Sequence, residues 1–198
     1  MRLRNDSYMT PEPVCAAICE RLLTRWGTSL VVEPQAGTGN FVRAIRKVQP
    51  KVPILAVERF AKSLPKLQTL ADARTEVVHA DFLALPRWRK YANIVMVIGN
   101  PPYASAEAHV RAALERMRPG DILAYLMRMA FLTTQARARG LYKEHPLYQL
   151  HPLAERPHFR TRAGHGESSE YGVFVWQKGF VGRGQIMPHI WWHPENTF

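Results

Sequence analysis

The sequence is short of three things, and each shortage removes a class of protein. It has two cysteines in 198 residues, Cys15 and Cys19. They lie four apart in what reads as one amphipathic helix, a spacing that sets them on one helix face instead of bridging distant segments. A disulfide scaffold is therefore excluded, and reduced, buried thiols are expected. No apolar run approaches the ~20 residues that a bilayer crossing needs, and the opening Met1-Arg2-Leu3-Arg4-Asn5-Asp6 lacks the apolar stretch of a secretory signal. A cytoplasmic protein with no membrane partner is expected. Acidic residues are also scarce: 16 Asp and Glu face 27 Lys and Arg, for a net charge of +11. Such an excess attracts polyanions, and arginine, which outnumbers lysine here, matches phosphates and base edges with its planar fork. Nucleic acid is thus a better partner than a membrane surface, for which no basic amphipathic anchor is evident.

What the sequence does contain is an alternation of strand-length apolar runs and helical patterns, the mark of a parallel sheet covered by helices on both faces. Pro11 to Trp26 reads as a helix, residues 29–33 as a strand, 41–46 as a helix and 53–58 as a second strand. A helix carrying Leu64, Leu67 and Leu70, a strand at 76–80, the unbroken apolar run 94–98, a helix at 106–117 and a strand at 122–127 continue the pattern. From Gly140 to Glu170 the composition turns to Pro, His and Arg, an irregular basic loop. The end reads as two antiparallel strands, 171–176 and 185–192, separated by Gly179, Gly182 and Gly184. The expectation is one α/β domain spanning 1–198, with a mainly parallel seven-stranded sheet closed by a C-terminal antiparallel hairpin.

Four segments carry chemistry. Glu33-Pro34-Gln35-Ala36-Gly37-Thr38-Gly39-Asn40-Phe41 follows a strand and opens a helix, where glycines let backbone approach a ligand. Val42 replaces the third glycine of a dinucleotide fingerprint and no Walker lysine follows, so pyrophosphate and triphosphate are poorly served, and a plain tight turn is the alternative. Glu58 ends the second strand 25 residues beyond Glu33, about where an α/β nucleoside site places its ribose-gripping carboxylate. Asp81 closes the third. Asn100-Pro101-Pro102-Tyr103 ends the most buried strand, where two prolines force the chain out of the sheet in a fixed conformation. The Asn100 side-chain oxygen and the Pro101 carbonyl can accept both hydrogens of an exocyclic amine. That lets the amine's delocalised lone pair localise for attack, while Tyr103 offers a stacking face.

This order of motifs resembles that of S-adenosylmethionine-dependent amino-methyltransferases, and most of all the N6-adenine DNA methyltransferases. The resemblance covers nearly the whole chain and implies the Rossmann-like class I methyltransferase fold. Asn5 to Pro11 looks like the family's N-terminal cofactor segment, with Tyr8, Thr10 and Pro11 as contacts. Glu33, Pro34, Ala36, Gly37, Gly39, Asn40 and Phe41 match its glycine loop, Glu58 and Arg59 its ribose position, and Asp81 and Phe82 its adenine contact. Asn100, Pro101, Pro102 and Tyr103 match the adenine-type catalytic motif, with Asn100 also touching the cofactor. Arg156-Pro157-His158-Phe159, followed by 170–176, resembles a late segment in which Phe159 packs on the extruded base.

The implied reaction is transfer of a methyl group from S-adenosylmethionine to N6 of adenine in DNA after base flipping, with no metal. RNA is the alternative nucleic acid. Arg160 and Arg162, with Arg137, Arg139, Lys143 and Arg156, interleave with Tyr142, Tyr148 and Phe159, a mix that suits a distorted or single-stranded nucleic acid or else a solvated face. Target reading would fall to 140–170, so a short or relaxed sequence context is expected. The eight histidines show no zinc spacing. Methylation of a glutamine amide or of ribosomal RNA, or a catalytically silent nucleic-acid-binding module, are the other readings. The sequence gives no oligomeric state.

Overall fold

The computed structural model describes residues 9–86, 94–157, 159 and 169–190. Five parallel strands form the heart of the sheet: β1 (Thr28–Glu33), β2 (Ile54–Glu58), β3 (Thr75–His79), β4 (Ile94–Gly99) and β5 (Ile122–Arg128). Beyond β5 lie β7 (Tyr171–Gln177), β6 (Gln149–Pro152) and β8 (Gln185–Ile186), so the spatial order is β3-β2-β1-β4-β5-β7-β6-β8. The chain runs outward from β1 to β3, then returns to place β4 on the other side of β1. That reversal opens a crevice at the carboxyl ends of β1 and β4, where open α/β sheets bind their ligands.

The apolar runs of β4 and β5 are sorted residue by residue onto the two sheet faces. Met96, Ile98, Ala124 and Leu126 pack with α1 (Glu12–Leu23) and α2 (Asn40–Val48) in one core. Val95, Val97, Leu123 and Tyr125 pack with α4 (Ala106–Arg116) in the other. Helix α1 presents Val14, Cys15, Ile18, Cys19 and Leu22 at helical spacing, all buried, so both thiols are free and enclosed. It ends at Leu23, short of Trp26, and just beyond it the Thr24 hydroxyl donates to the Glu20 carbonyl at 3.0 Å. Helix α3 (Leu64–Gln68) is short, preceded by a single 3₁₀ turn at Ala61–Ser63. At the opposite edge from the crevice, the buried Asp121 carboxylate accepts the Val95 and Arg118 backbone N–H groups at 2.9 and 2.8 Å, pinning the start of β4 to the turn before β5.

Three expectations are corrected. The sheet has eight strands and is mixed, not seven. The C-terminal hairpin does not form: β7 lies between β5 and β6, antiparallel to both, and both its edges are already filled. Six of its seven residues are buried, so it is an interior strand, and β8 pairs instead with β6, in parallel. The segment 140–170 is not uniformly irregular, since it holds α6 (Leu141–Glu144) and β6, with α5 (Gln135–Arg139) just before it. Among the described residues no helix is long and apolar enough to cross a membrane.

Candidate functional site

The strand-to-helix turn after β1 is built on left-handed backbone. Gly37 has φ +55° and Gly39 φ +90°, where side chains are strained. At Gly39 a Cβ would also run into the Leu70 side chain. The turn is clamped from β2: the Ala36 N–H donates to the Val57 carbonyl at 2.9 Å, and the Gly37 N–H donates to Glu58 Oε2 at 2.7 Å. Glu58 Oε1 accepts the Phe60 N–H at 2.6 Å. The buried Glu58 carboxylate is thus fixed in direction by two backbone donors, and each oxygen keeps a lone pair for a further donor.

Glu33, at the end of β1, is 1% exposed, and neither carboxylate oxygen makes a hydrogen bond. It sits tight against β4, where a Cβ on Gly99 would lie 2.8 Å from Glu33 Oε1 and 3.3 Å from Gln35 Oε1. The Gln35 side-chain amide and the Tyr125 hydroxyl are likewise buried without a formed hydrogen bond. Burial, reinforced by the negative charge of Glu58, pushes the Glu33 carboxyl well above the ordinary carboxylate range; the Gln35 backbone N–H, close by but short of hydrogen-bonding geometry, only partly offsets it. A buried, unpaired carboxyl of this kind favours an incoming cation.

Two residues past β3, Asp81 caps a 3₁₀ turn by accepting the Leu83 N–H at 2.9 Å, and it pairs with Arg59 at 3.1 Å. Burial would raise its carboxyl, but the Leu83 N–H and Arg59 outweigh that and lower it. Phe82 is buried beneath Arg116 and lies parallel to the His109 ring, 11° between planes. His109 approaches the Ser105 carbonyl through Nδ1 at 3.0 Å, and its desolvation lowers the imidazole pKa.

At the end of β4 the chain leaves the sheet through Pro101 and Pro102 into a 3₁₀ turn at Tyr103–Ser105. Asn100 Nδ2 donates to Thr10 Oγ1 at 3.1 Å. The Tyr103 ring is flanked by the Arg128 guanidinium at 4.8 Å and by the Tyr171 ring at 5.7 Å.

These groups share one cavity of about 640 Å³. Of the residues expected from sequence, Thr10, Pro34, Ala36, Gly37, Asn40, Phe41, Glu58, Arg59, Asp81, Phe82, Asn100, Pro102 and Tyr103 line it. Glu33 and Gly39 stand behind the lining, Pro101 is buried, and Pro11 caps α1. Phe159 is not among the lining residues: it is 8% exposed and packs edge-on against Tyr171 at 5.1 Å. Tyr8, Arg160 and Arg162 lie outside the described residues. Sequence reasoning missed Met127 and Arg128 at the end of β5, Phe131 beyond it, and His109 on α4, whereas Arg137, expected as part of the basic run, also lines this wall. The rule that placed Glu33, Glu58 and Asp81 at carboxyl strand ends applies equally to β5 and would have found Arg128. Among the described residues no three His, Cys, Asp or Glu side chains converge to hold a metal ion.

No protein-family model and no curated protein matches the sequence. Solved structures do match in fold. A Listeria monocytogenes protein assigned to the class I S-adenosylmethionine-dependent methyltransferases superposes with a TM-score of 0.68 at 15% identity, over 94% of this chain and 67% of that one. The methyltransferase subunit of a type I restriction-modification system from Streptococcus thermophilus gives 0.73 at 13% identity, over 91% of this chain and 47% of that one. The 23S rRNA methyltransferase ErmE gives 0.60 at 18% identity, over 87% and 70%. This chain therefore spans about half of the restriction-modification subunit. The fold is that of the class I S-adenosylmethionine-dependent methyltransferases.

Proposed function

We propose that the protein transfers a methyl group from S-adenosylmethionine to N6 of adenine in DNA, within a short sequence context. The observation that carries this reading is the placement of Asn100-Pro101-Pro102-Tyr103: Asn100, Pro102 and Tyr103 line the same cavity as the glycine turn, Glu58 and Asp81. A nucleoside bearing an amino acid would span that cavity, whose volume lies in the range of ordinary ligand sites.

The residues present fit the cofactor group by group. Glu58 would accept the ribose hydroxyls, and Phe82 with Asp81 would hold the adenine. The buried Glu33 carboxyl, behind the lining, would be satisfied by the cofactor's cationic amino-acid end. The bound cofactor supplies an electrophilic methyl on its sulfonium, so no protein nucleophile is required. Asn100 Oδ1 and the Pro101 carbonyl would accept the target amine's hydrogens as its lone pair turns toward the methyl. Tyr103 would stack the flipped base and offset part of the few kcal/mol that extrusion costs.

A polyanionic substrate is supported by the net charge of +11 and by Arg128 and Arg137 on the cavity wall. Asn100→Ala tests the assignment. Cofactor affinity should stay within a few-fold by calorimetry while turnover drops ~10²-fold or more, because the lost contact acts on the transition state. Cofactor binding lost with Asn100→Ala but kept in Glu58→Ala would reverse the two roles.

A further inference from the structure

We infer that Thr10 is a positioning residue for the amide of Asn100, an inference that rests on the proposed methyl transfer to an amine. An asparagine amide can accept a substrate hydrogen only if its oxygen, not its nitrogen, faces the substrate. The chain can select that end by giving the nitrogen a partner elsewhere. Thr10 is that partner, accepting from Asn100 Nδ2 on Oγ1 at 3.1 Å across 90 residues of sequence.

Thr10 is itself immobilised. It is 4% exposed, and its carbonyl accepts Asn40 Nδ2 at 2.7 Å. The other end of the Asn40 amide is taken by Arg43, which also binds the Thr38 carbonyl at 3.1 Å and pairs with Glu12 at 2.7 Å. Both amides are therefore set by one small residue between them, and the first turn of α2 is tied to the reacting amide through Thr10. Threonine suits the task because its branched Cβ restricts χ1, holding the hydroxyl in place.

Three variants test this. Thr10→Val keeps the shape and removes the acceptor, Thr10→Ser keeps the acceptor, and Asn100→Ala supplies a background in which there is nothing to position. The single-turnover rate on adenine-containing DNA should fall about tenfold or more in Thr10→Val, as expected when one hydrogen bond no longer holds the amide, and recover in Thr10→Ser. The rate loss in Thr10→Val should persist at saturating cofactor, and Thr10→Val should add nothing on top of Asn100→Ala. An unchanged rate in Thr10→Val, a rate loss that disappears at saturating cofactor, or an additive effect in the double variant would overturn the inference. A second readout needs no substrate. In nitrogen-15 NMR the Asn100 side-chain amide, identified by its absence in Asn100→Ala, should be protected from exchange in the wild type and Thr10→Ser and exposed in Thr10→Val. If the wild type fails to methylate adenine, the functional reading falls and this signal still decides the positioning: an amide unprotected in the wild type rejects it.

Discussion

Replacing Glu33 by glutamine should change how stability depends on pH. The Glu33 carboxyl is 1% exposed, makes no hydrogen bond, and has a second carboxylate, Glu58, as the charged group that acts on it. Burial therefore raises it above the ~4.3 of an unfolded glutamate. Above that pH the unfolded chain has released the proton and the native protein still holds it. The native state then binds more protons, and stability falls as pH rises, by about 1.4 kcal/mol per unit, until the raised native value is reached. A glutamine side chain in its place cannot titrate and keeps a similar shape.

The stability of Glu33→Gln minus that of the wild type should accordingly grow as pH rises above ~4.3, with a slope of at most about 1.4 kcal/mol per pH unit. Urea denaturation followed by tryptophan fluorescence at half-unit intervals measures it, and taking the difference cancels the titrating groups that are not coupled to Glu33. Saturating S-adenosylmethionine should flatten the difference, because a cationic end beside the carboxyl favours its ionised form. A difference already flat without cofactor, or one of opposite slope, would mean that Glu33 is ionised and paired in the native protein, and that no carboxyl waits there for a cation.

The same denaturation series tests His151, which is fully buried with Nε2 3.2 Å from Gln149 Oε1; burial, then Arg21 and Arg25, push its pKa down to about 4. The unfolded chain takes up the proton first, at ~6.5, so this side chain should remove about 3 kcal/mol as pH falls from 6.5 to 4, and His151→Gln should abolish that loss. Gly99→Ala should place a methyl against Glu33 and Gln35, and melting together with cofactor titration should show both stability and affinity reduced. Tyr103→Ala should cut kcat/KM on DNA by the ~1–3 kcal/mol of a lost stacking contact, with Tyr103→Phe retaining most of it; equal losses in both would assign the effect to the hydroxyl. The dissociation constant for DNA should rise steeply with salt in a double-logarithmic plot, and a flat response between low and physiological salt would remove nucleic acid as the partner.

The heart of the fold is legible in the sequence because its signals are local. Every strand from β1 to β5 is a run of five to seven residues, and the glycine turn and the two prolines mark where the chain leaves β1 and β4. The rest is set by tertiary context. Strand β6 is four residues, Gln149 to Pro152, with polar side chains at two positions and a proline; it is a strand only because β7 offers it an edge. Strand β7 reads as half of a hairpin until β5 claims its other edge over seven residue pairs. Phe159 is 8% exposed and packs edge-on against Tyr171, a contact that nothing in its neighbours' sequence signals. Thr10 is legible as part of an N-terminal segment, but its hydrogen bond to a residue 90 positions away is not.

The central claim is that methyl goes from S-adenosylmethionine to N6 of adenine in DNA. S-adenosylmethionine labelled in its methyl group, incubated with the protein and separately with duplex DNA, RNA and total protein, tests it most directly. The account predicts label in DNA, recovered after hydrolysis as N6-methyladenine and absent with Asn100→Ala. Label confined to RNA or to a protein amide, or carried in DNA on cytosine, would contradict it.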